Sequence, residues 1–261
     1  MSMWERGDAY EPYVGRWSRF VAREFVGWLD VSPGKSWLDV GCGTGALCAA
    51  ILELAEPTSL IGVDASDDYA AYARERTTDA RVEFRLGDAL GLPFSEASFD
   101  LSVSGLVLNF LPDPRRGLAE MARVTQPEGI VAVYVWDYAG GMQMLRCFFD
   151  AAAALDPAAS ELDEGRRFPI CRPDALEQLF TDGGLTDIEV RAIEVPTVFA
   201  DFDDFWSPFL GGQGPAPSYV TSLSEDQRTA LRERLRETLP TQSDGSIHLI
   251  ARAWAARGQR T

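Results

Sequence analysis

The sequence predicts an α/β fold with a doubly wound, parallel sheet. Short runs rich in Val, Ile, Leu and Phe alternate with helix-forming segments between residues 36 and 136. This alternation is typical of a parallel sheet covered by helices. A glycine-rich turn follows the first apolar run, at the point where a strand would pass into a helix. No internal repeat or linker divides the 261 residues, so we expect a single domain over 1–261.

The predicted elements of the first half follow one another without long gaps. Ser66 is a good N-cap for a helix that begins at Asp67, and Pro114 suits the first turn of a later helix. We expect strands at 36–40, 59–63, 81–86, 99–104 and 129–136, and helices from about Gly15 and near 45–55, 67–77 and 114–125.

The second half has a less regular pattern. The segment 211–217 reads Gly-Gly-Gln-Gly-Pro-Ala-Pro and holds too many breakers for regular structure, so we expect a loop there. The remaining elements expected are one helix and an irregular stretch over 138–172, helices over 173–182, 204–210 and 224–237, and strands near 186–195 and 246–255.

Composition argues against several classes of function. The net charge of −16 disfavours a nucleic-acid partner, because binding to phosphate backbones depends on a basic face. The longest apolar run, 130–136, is far shorter than the roughly 20 residues of a membrane span. Charged residues interrupt the first 30 positions, so no secretory signal is expected. The four cysteines lack metal-ligand spacing, which favours reduced thiols, no metal and a cytoplasmic protein.

The decapeptide at 36–45, SWLDVGCGTG, is the most informative segment of the chain. Gly41, Gly43 and Gly45 suit a turn in which the backbone approaches a ligand closely. A strand, such a turn and then a helix would direct free N–H groups and the positive end of the helix dipole toward that ligand. Gly41, Gly43 and Ala46 also satisfy the dinucleotide pattern G-x-G-x-x-G/A, with Asp64 near the position of its ribose-binding acid, so an NAD-dependent oxidoreductase is one alternative.

Three acidic residues accompany this turn, one for each predicted strand–helix unit. Asp39 lies at the end of the first strand, Asp64 at the end of the second, and Asp88 after the third. The carboxyl ends of parallel strands meet at one edge of the sheet, where open α/β sheets bind ligands. We therefore expect the three carboxyl groups around one ligand, although Asp39 or Asp88 taken singly could merely stabilise a turn.

The combined motifs resemble the class I S-adenosylmethionine-dependent methyltransferases, and within them the small-molecule, type 11 branch that includes the quinone C-methyltransferases. The segments that carry the resemblance are 38–45, 62–66, 87–89 and 92–100. The resemblance covers 35–137 and implies a Rossmann-like, seven-stranded, mostly parallel sheet with one antiparallel strand and a helical lid. It divides the chain into an N-terminal cap (1–30), a cofactor-binding core (35–137) and a C-terminal half (138–261).

The resemblance also implies S-adenosylmethionine as cofactor, S-adenosylhomocysteine as its product, and a role for each matching residue. The glycine turn would wrap the methionine end of the cofactor, with Asp39 near its ammonium group. Asp64 would bind both ribose hydroxyls, Asp88 would face the adenine, and Ser104 would line the methyl-transfer channel. The expected cofactor-binding residues are Asp39, Gly41, Cys42, Gly43, Thr44, Gly45, Asp64, Ala65, Asp88, Ala89, Ser104, Tyr13 and Arg16. Tyr13 and Arg16 belong to a segment expected to close over the cofactor, with Arg16 meeting its carboxylate.

Few features of the sequence indicate the methyl acceptor. Neither the Asp/Asn-Pro-Pro-Tyr tetrad of amino methyltransferases nor a Pro-Cys pair follows the fourth strand, so we expect a small-molecule acceptor. His248 is a weak candidate for a general base, and an ordinary strand histidine is the alternative. Asn109 would bind substrate or cap a turn. A catalytically silent protein that binds the same cofactor is the second alternative for the whole chain.

Overall fold

The computed structural model describes residues 15–211 and 214–261. Seven strands and ten α-helices follow in the order α1 Arg16–Leu29, β1 Ser36–Val40, α2 Ala46–Leu54, β2 Ser59–Asp64, α3 Asp67–Arg76, β3 Val82–Leu86, β4 Phe99–Gly105, α4 Pro114–Val124, β5 Thr125–Trp136, α5 Gln143–Leu155, α6 Glu164–Arg167, α7 Pro173–Asp182, β6 Thr186–Phe199, α8 Phe202–Trp206, α9 Pro215–Ser222, α10 Glu225–Thr238 and β7 Ile247–Gln259 within these ranges. Short 3₁₀ helices occupy Leu108–Phe110, Pro157–Leu162 and Ser207–Leu210.

The strands form one sheet in the order β3-β2-β1-β4-β5-β7-β6. The pairs β1–β2, β1–β4, β2–β3 and β4–β5 are parallel. β7 runs antiparallel to β5, because Glu128 N donates to Arg260 O while Asp137 N donates to Arg252 O. The expected seven-stranded, mostly parallel sheet with an antiparallel strand is confirmed.

The strand order places a topological switch point at β1. The chain moves from β1 to β2 on one side, whereas β4 lies on the other side. Connections that leave in opposite directions open a crevice outside the carboxyl ends of the two strands, and ligands of α/β proteins bind there. The glycine turn follows β1 and therefore lies at this crevice.

The chain divides into two compact units, each with its own core. The sheet unit comprises residues 18–135, 172–193 and 254–261. Trp37 and Leu38 of β1 are fully buried in this unit, as is Val103 of β4. Phe25 of α1 lies 4.7 Å from the ring of Tyr134 on β5, measured between centroids. These side chains fix the strands whose ends carry the candidate site.

The aromatic unit comprises residues 15–17, 136–171 and 194–253 of the described chain. Phe148 of α5 stacks on Phe209, with ring centroids 4.5 Å apart and planes inclined by 17°. Phe205 lies 5.5 Å from Phe209 and 5.2 Å from Phe199 of β6. These rings are buried and form part of the apolar core of this unit.

The prediction of a loop over 211–217 is wrong, because α9 begins at Pro215. Proline is tolerated in the first turn of a helix, where its missing N–H has no helical partner to lose. Gly214 precedes the helix with a φ of 92°, which a residue with a side chain rarely adopts. The breakers in this segment therefore mark the start of a helix.

Other differences concern element boundaries. β5 begins at Thr125 rather than at 129, and β6 and β7 extend to Phe199 and Gln259. The segment 138–172 contains α5, a 3₁₀ helix and the short α6. Tyr13 and the rest of the first 14 positions lie outside the described residues. Among the helices described, none has the length and apolarity that crossing a membrane requires.

Candidate functional site

The glycine turn between β1 and α2 has backbone angles that exclude most other residues. Gly41, Gly43 and Gly45 have φ values of 78°, 51° and 87°. The N–H groups of Gly41 and Cys42 donate to Val63 O at 2.7 and 3.0 Å, which fastens the turn to β2. A Cβ placed on Gly43 would meet no atom within 4 Å. The turn is thus held rigidly on one side and open to a ligand on the other.

The helix that follows the turn offers donors to the same space. Gly45 is the N-cap of α2 and has no side chain to satisfy the first N–H groups of the helix. The positive end of the helix dipole lies at this point. Thr44 lies within the turn and is partly buried.

Asp64 connects the turn to the end of β2. Its Oδ2 accepts from Gly43 N at 2.9 Å and its Oδ1 from Ser66 N at 2.8 Å. Burial raises the pKa of this carboxyl group, and the backbone donors at Ser66, Gly43 and Ala65 oppose that rise. Each carboxylate oxygen can accept a second hydrogen bond. Two adjacent donors of a ligand, such as a pair of hydroxyls, can therefore bind here.

Asp39 lies beneath the turn, fully buried from solvent. Cys48 Sγ donates to its Oδ2 at 3.1 Å, whereas its Oδ1 has no hydrogen-bond partner among residues 15–211 and 214–261. Burial, reinforced by the negative charge of Asp64, raises the pKa of Asp39 to about 7 against the opposing hydrogen bond from Cys48. A cation bound near the turn would stabilise its ionised form.

The thiols near Asp39 are unreactive. Cys42 and Cys48 are buried, and burial raises the pKa of both thiols, with the charge of Asp39 adding to that effect. A thiol is nucleophilic as its thiolate, so neither is an active nucleophile at neutral pH. The Cys42 N–H donates to Val63 O, so the residue helps to fasten the turn to β2.

Asp88 is the second residue after the end of β3. The residue is exposed, and its Oδ1 accepts from Leu90 N at 2.9 Å, which closes a turn after β3. Gly87 N donates to Asp64 O at 2.9 Å, so the end of β3 is tied to the end of β2. Ala89 beside it is buried. Asp88 thus lies at the carboxyl edge of the sheet, as expected, and one of its carboxyl oxygens accepts a hydrogen bond from the backbone two residues later.

Ser104 lies at the end of β4 and is also engaged within the fold. Its hydroxyl donates to Val40 O at 2.7 Å, and the residue is buried. This hydrogen bond holds β4 and β1 together at the switch point. The proton of the Ser104 hydroxyl is therefore directed toward the strand carbonyl.

Asn109 is a functional candidate whose burial depends on the tertiary structure. It lies in the 3₁₀ turn after β4, is 7% exposed, and neither Nδ2 nor Oδ1 has a partner in the described part of the chain. The N-cap of this turn is Val107, without a side-chain hydrogen bond, so Asn109 does not cap it. Val107 packs on the glycine turn, since a Cβ on Gly41 would lie 2.5 Å from Val107 Cγ2. An unsatisfied buried amide two residues after Val107 is a candidate ligand contact.

Arg16 lies in the aromatic unit, at the start of α1. Its Nη1 donates to Asp204 Oδ1 at 3.0 Å, and its guanidinium lies 4.3 Å from the ring centre of Trp17 and 4.7 Å from that of Phe199. Its Nε and Nη2 have no partner among the residues described. The side chain therefore keeps donors for an anion, as its expected role requires.

His248 lies near the start of β7. It is exposed, and its Nε2 is 3.0 Å from Ser246 Oγ. Water and a neighbouring hydroxyl surround the imidazole, which fits an ordinary strand histidine. Residues 15–211 and 214–261 contain no group of His, Cys, Asp and Glu side chains that could hold a metal ion.

Sequence comparisons identify relatives with a shared core. The methyltransferase domain family matches residues 38–133, which hold the turn and the three acids. Demethylmenaquinone methyltransferase of Halalkalibacterium halodurans is 30% identical over 181 residues, covering 62% of this chain and 72% of that protein. A transposon-encoded protein of Streptomyces fradiae is 39% identical over 103 residues, and the match spans 39% of this chain and 30% of that protein.

Solved structures share the fold at low sequence identity. The YcgJ protein of Bacillus subtilis has a TM-score of 0.58 and 20% identity, with 92% of this chain and 98% of that chain covered. Phosphoethanolamine N-methyltransferase 2 of Haemonchus contortus, solved with phosphomonomethylethanolamine and S-adenosylhomocysteine, has a TM-score of 0.59 and 20% identity. That comparison covers 97% of this chain and 57% of the other.

Proposed function

The chain belongs to the class I S-adenosylmethionine-dependent methyltransferases, in the branch of the quinone C-methyltransferases, and we propose that it methylates a small-molecule acceptor by in-line displacement. S-adenosylmethionine is the cofactor, which supplies an electrophilic methyl group on a sulfonium when bound. The part of the proposal that goes beyond the family is the class of acceptor and the role of each residue.

The observation that carries the proposal is the coupling of Asp64 to the glycine turn. Gly43 N donates to Asp64 Oδ2, so the loop and the carboxylate keep one geometry. We assign the second acceptor positions of Asp64 to the two ribose hydroxyls, because an ionised carboxylate suits two adjacent donors.

The residues around the turn also fit the charged end of the cofactor. Oδ1 of Asp39 is buried without a partner in the described chain, and the space at Gly43 is open. An ammonium and a sulfonium near this point would favour the ionised form of Asp39. In this proposal Asp88 and Ala89 lie beside the adenine.

The protein's own contribution to catalysis is alignment and exclusion of water. Methyl transfer needs a nucleophile held in line with the methyl group, and such positioning can supply about 7–11 kcal/mol of the barrier reduction. A general base is needed only where the acceptor must lose a proton. His248 is exposed, so we expect His248→Ala to keep the wild-type turnover number. A large loss of turnover, with S-adenosylhomocysteine binding intact, would instead identify the imidazole as the base.

The acceptor is a small metabolite in this proposal. The net charge of −16 repels phosphate backbones, and the relative from Halalkalibacterium halodurans is named for a menaquinone precursor. We propose that one domain spanning 1–261 carries the activity and that it acts in the cytoplasm, where buried thiols such as Cys42 stay reduced.

An acceptor screen tests this function directly. The purified chain is incubated with S-adenosylmethionine and a panel of phenols, quinols, amines and carboxylic acids, and released S-adenosylhomocysteine is measured by mass spectrometry. We expect acceptor-dependent release, and at least a tenfold lower rate in Asp64→Asn. Binding of S-adenosylmethionine without release of S-adenosylhomocysteine for any acceptor in the panel would favour a silent cofactor-binding protein.

A further inference from the structure

We propose that binding of the cofactor releases a proton from the Asp39 carboxyl group, and that Cys48 is a positioning residue that determines the pH range of this release. The proposal rests on the proposed function and adds the regulation of its cofactor site by pH. Both residues belong to the sheet unit, Asp39 in β1 and Cys48 in α2.

The surroundings of the Asp39 side chain are poor in polar groups. The residue is fully buried, and the residues beside it in register are Gly62 of β2 and Val103 of β4, neither of which carries a charge. Its Oδ1 has no hydrogen-bond partner in the described part of the chain. An ionised carboxyl group is costly in such surroundings, and it avoids that cost by binding a proton.

Asp64 is the neighbouring carboxyl group and is better placed to stay ionised. Its oxygens accept from Gly43 N at 2.9 Å and from Ser66 N at 2.8 Å, and the residue is partly exposed. The carboxyl group of Asp39 accepts from the thiol of Cys48, which is a weak donor. Two carboxyl groups close together resist ionising at once, so the proton belongs on Asp39. Burial raises the pKa of Asp39 to about 7, opposed by the Cys48 hydrogen bond and increased by the charge of Asp64.

The other titratable groups near Asp39 keep their protonation states at neutral pH. Burial raises the pKa of the Cys42 and Cys48 thiols, so both thiols stay protonated. Arg74 of α3, whose charge acts on Cys42, lies 3.7 Å from Asp67 and stays charged. Asp39 is therefore the group in this part of the unit whose charge a bound ligand can change.

A cation bound at the glycine turn would reverse the preference of Asp39 for its proton. A Cβ on Gly43 would meet no atom within 4 Å, so the turn faces open space there. In the proposed function the ammonium group of the cofactor lies near Asp39, and a nearby positive charge favours the ionised carboxyl group. The proton then passes to the solvent, and the ammonium charge replaces it as the partner of the carboxylate. Because protons compete with the ligand, cofactor affinity falls as pH decreases below 7.

Cys48 acts on this exchange through Asp39. It is the third residue of α2, which begins directly after the turn, and its Sγ donates to Asp39 Oδ2 at 3.1 Å. A hydrogen bond donated to the ionised form of a carboxyl group favours that form. Without the thiol, Asp39 would keep its proton to a higher pH. We therefore expect the side chain at position 48 to shift the pH range over which ligand binding releases the proton.

Calorimetric titration in buffers of different ionisation enthalpy counts the protons released on binding. S-adenosylhomocysteine is titrated at several values between pH 6 and pH 8, and 5′-methylthioadenosine, which lacks the ammonium and the carboxylate, is the comparison ligand. For the wild type we expect S-adenosylhomocysteine to release about one proton per chain at pH 6 and about a tenth of a proton at pH 8. We expect 5′-methylthioadenosine to release almost none at either pH.

Three variants assign the proton to its residue. We expect Asp39→Asn to bind S-adenosylhomocysteine without this release. In Cys48→Ala the midpoint of the release should move upward by about half a pH unit or more, because a hydrogen bond to the charged form is lost. Cys48→Ser keeps a donor and should lie closer to the wild type. Cys147→Ala, which removes a thiol from α5 in the aromatic unit, is the matched control and should release protons as the wild type does.

Equal proton release by the two ligands in the wild type at pH 6 would overturn the role of Asp39, as would full release by Asp39→Asn. An unchanged midpoint in Cys48→Ala would overturn the role of Cys48. The comparison of the two ligands needs no variant, so it decides the matter even if a substitution prevents folding. Binding of S-adenosylhomocysteine without proton release rejects this inference alone, whereas no binding to the wild type rejects the proposed function as well.

Discussion

The carboxyl group of Asp39 is buried completely, and its ionisation must therefore oppose folding. Burial raises its pKa in the folded chain to about 7, whereas the carboxyl group of an unfolded chain has its ordinary pKa of 3.8. Between pH 3.8 and pH 7, the Asp39 carboxyl group is therefore protonated in more of the folded chains than of the unfolded chains. Stability contributed by this proton is present at low pH and is lost as pH rises toward 7.

Replacement of Asp39 by Asn should remove this dependence. We compare the unfolding free energy of the wild type with that of Asp39→Asn. We predict that the wild-type value minus the variant value falls as pH rises from about 4 to about 7, and is constant above pH 7. The total change is at most about 4 kcal/mol, from a pKa difference of about three units. Urea unfolding at a series of pH values measures it. A difference that does not vary with pH would show that Asp39 has an ordinary pKa.

Substitution of Asn109 tests whether its unsatisfied amide group binds a ligand. We predict that Asn109→Leu is as stable as the wild type or more stable, with an unfolding free energy higher by up to about 1 kcal/mol, because an unpaired buried amide is removed. Its unfolding temperature should therefore be the same or higher. The same variant should bind S-adenosylhomocysteine about tenfold more weakly, because Val107, two residues away, packs on Gly41 of the turn. Lower stability of Asn109→Leu with unchanged affinity for S-adenosylhomocysteine would mean that the amide stabilises the fold and does not bind the ligand.

At the scale of elements, a comparison of two glycines distinguishes the effect of backbone strain from the effect of ligand contact. Gly43 and Gly34 both have positive φ values, 51° and 85°, so an added Cβ strains the backbone at either position. A Cβ on Gly43 would reach open space at the candidate site, whereas one on Gly34 would lie 3.7 Å from Thr58 Oγ1.

We predict that Gly43→Ala and Gly34→Ala lose similar stability, roughly 1–2 kcal/mol each, since both force Ala into the left-handed region. Only Gly43→Ala should lose S-adenosylhomocysteine binding, by tenfold or more. Chemical unfolding and calorimetric titration of both variants measure the two effects. Equal affinity in the two variants would place the cofactor away from the turn.

Helix α9 shows where local sequence rules are insufficient. Gly214, Pro215 and Pro217 are breakers in most contexts, and they predicted a loop. The structure uses the same residues as a helix start, because proline fits the first turn. By contrast, Ser66 caps α3 through Tyr69 N, as the sequence predicts.

For the molecule as a whole, the sequence predicted what depends on local order and periodicity. The strands β1 to β4, the turn at Gly41 and the position of Asp64 follow from apolar runs and glycine spacing. The burial of Asn109 and Glu164 could not be predicted, because it depends on distant packing. No neighbouring residue distinguishes Glu164 from the exposed acid at Glu161. Likewise, only the tertiary structure shows that the Ser104 hydroxyl bonds to Val40 O.

The central claim is that the edge formed by β1 and β2 binds an adenosyl cofactor through Asp64 and the glycine turn. Calorimetric titration of S-adenosylhomocysteine into the wild type, Asp64→Asn and the exposed-site control Glu75→Gln tests it most directly. We expect one binding site per chain in the wild type and in Glu75→Gln. We expect affinity lower by about 10–100-fold in Asp64→Asn, because charged hydrogen bonds contribute about 1.5–3 kcal/mol each. Equal affinity in all three proteins, or binding of NAD in place of S-adenosylhomocysteine, would contradict it.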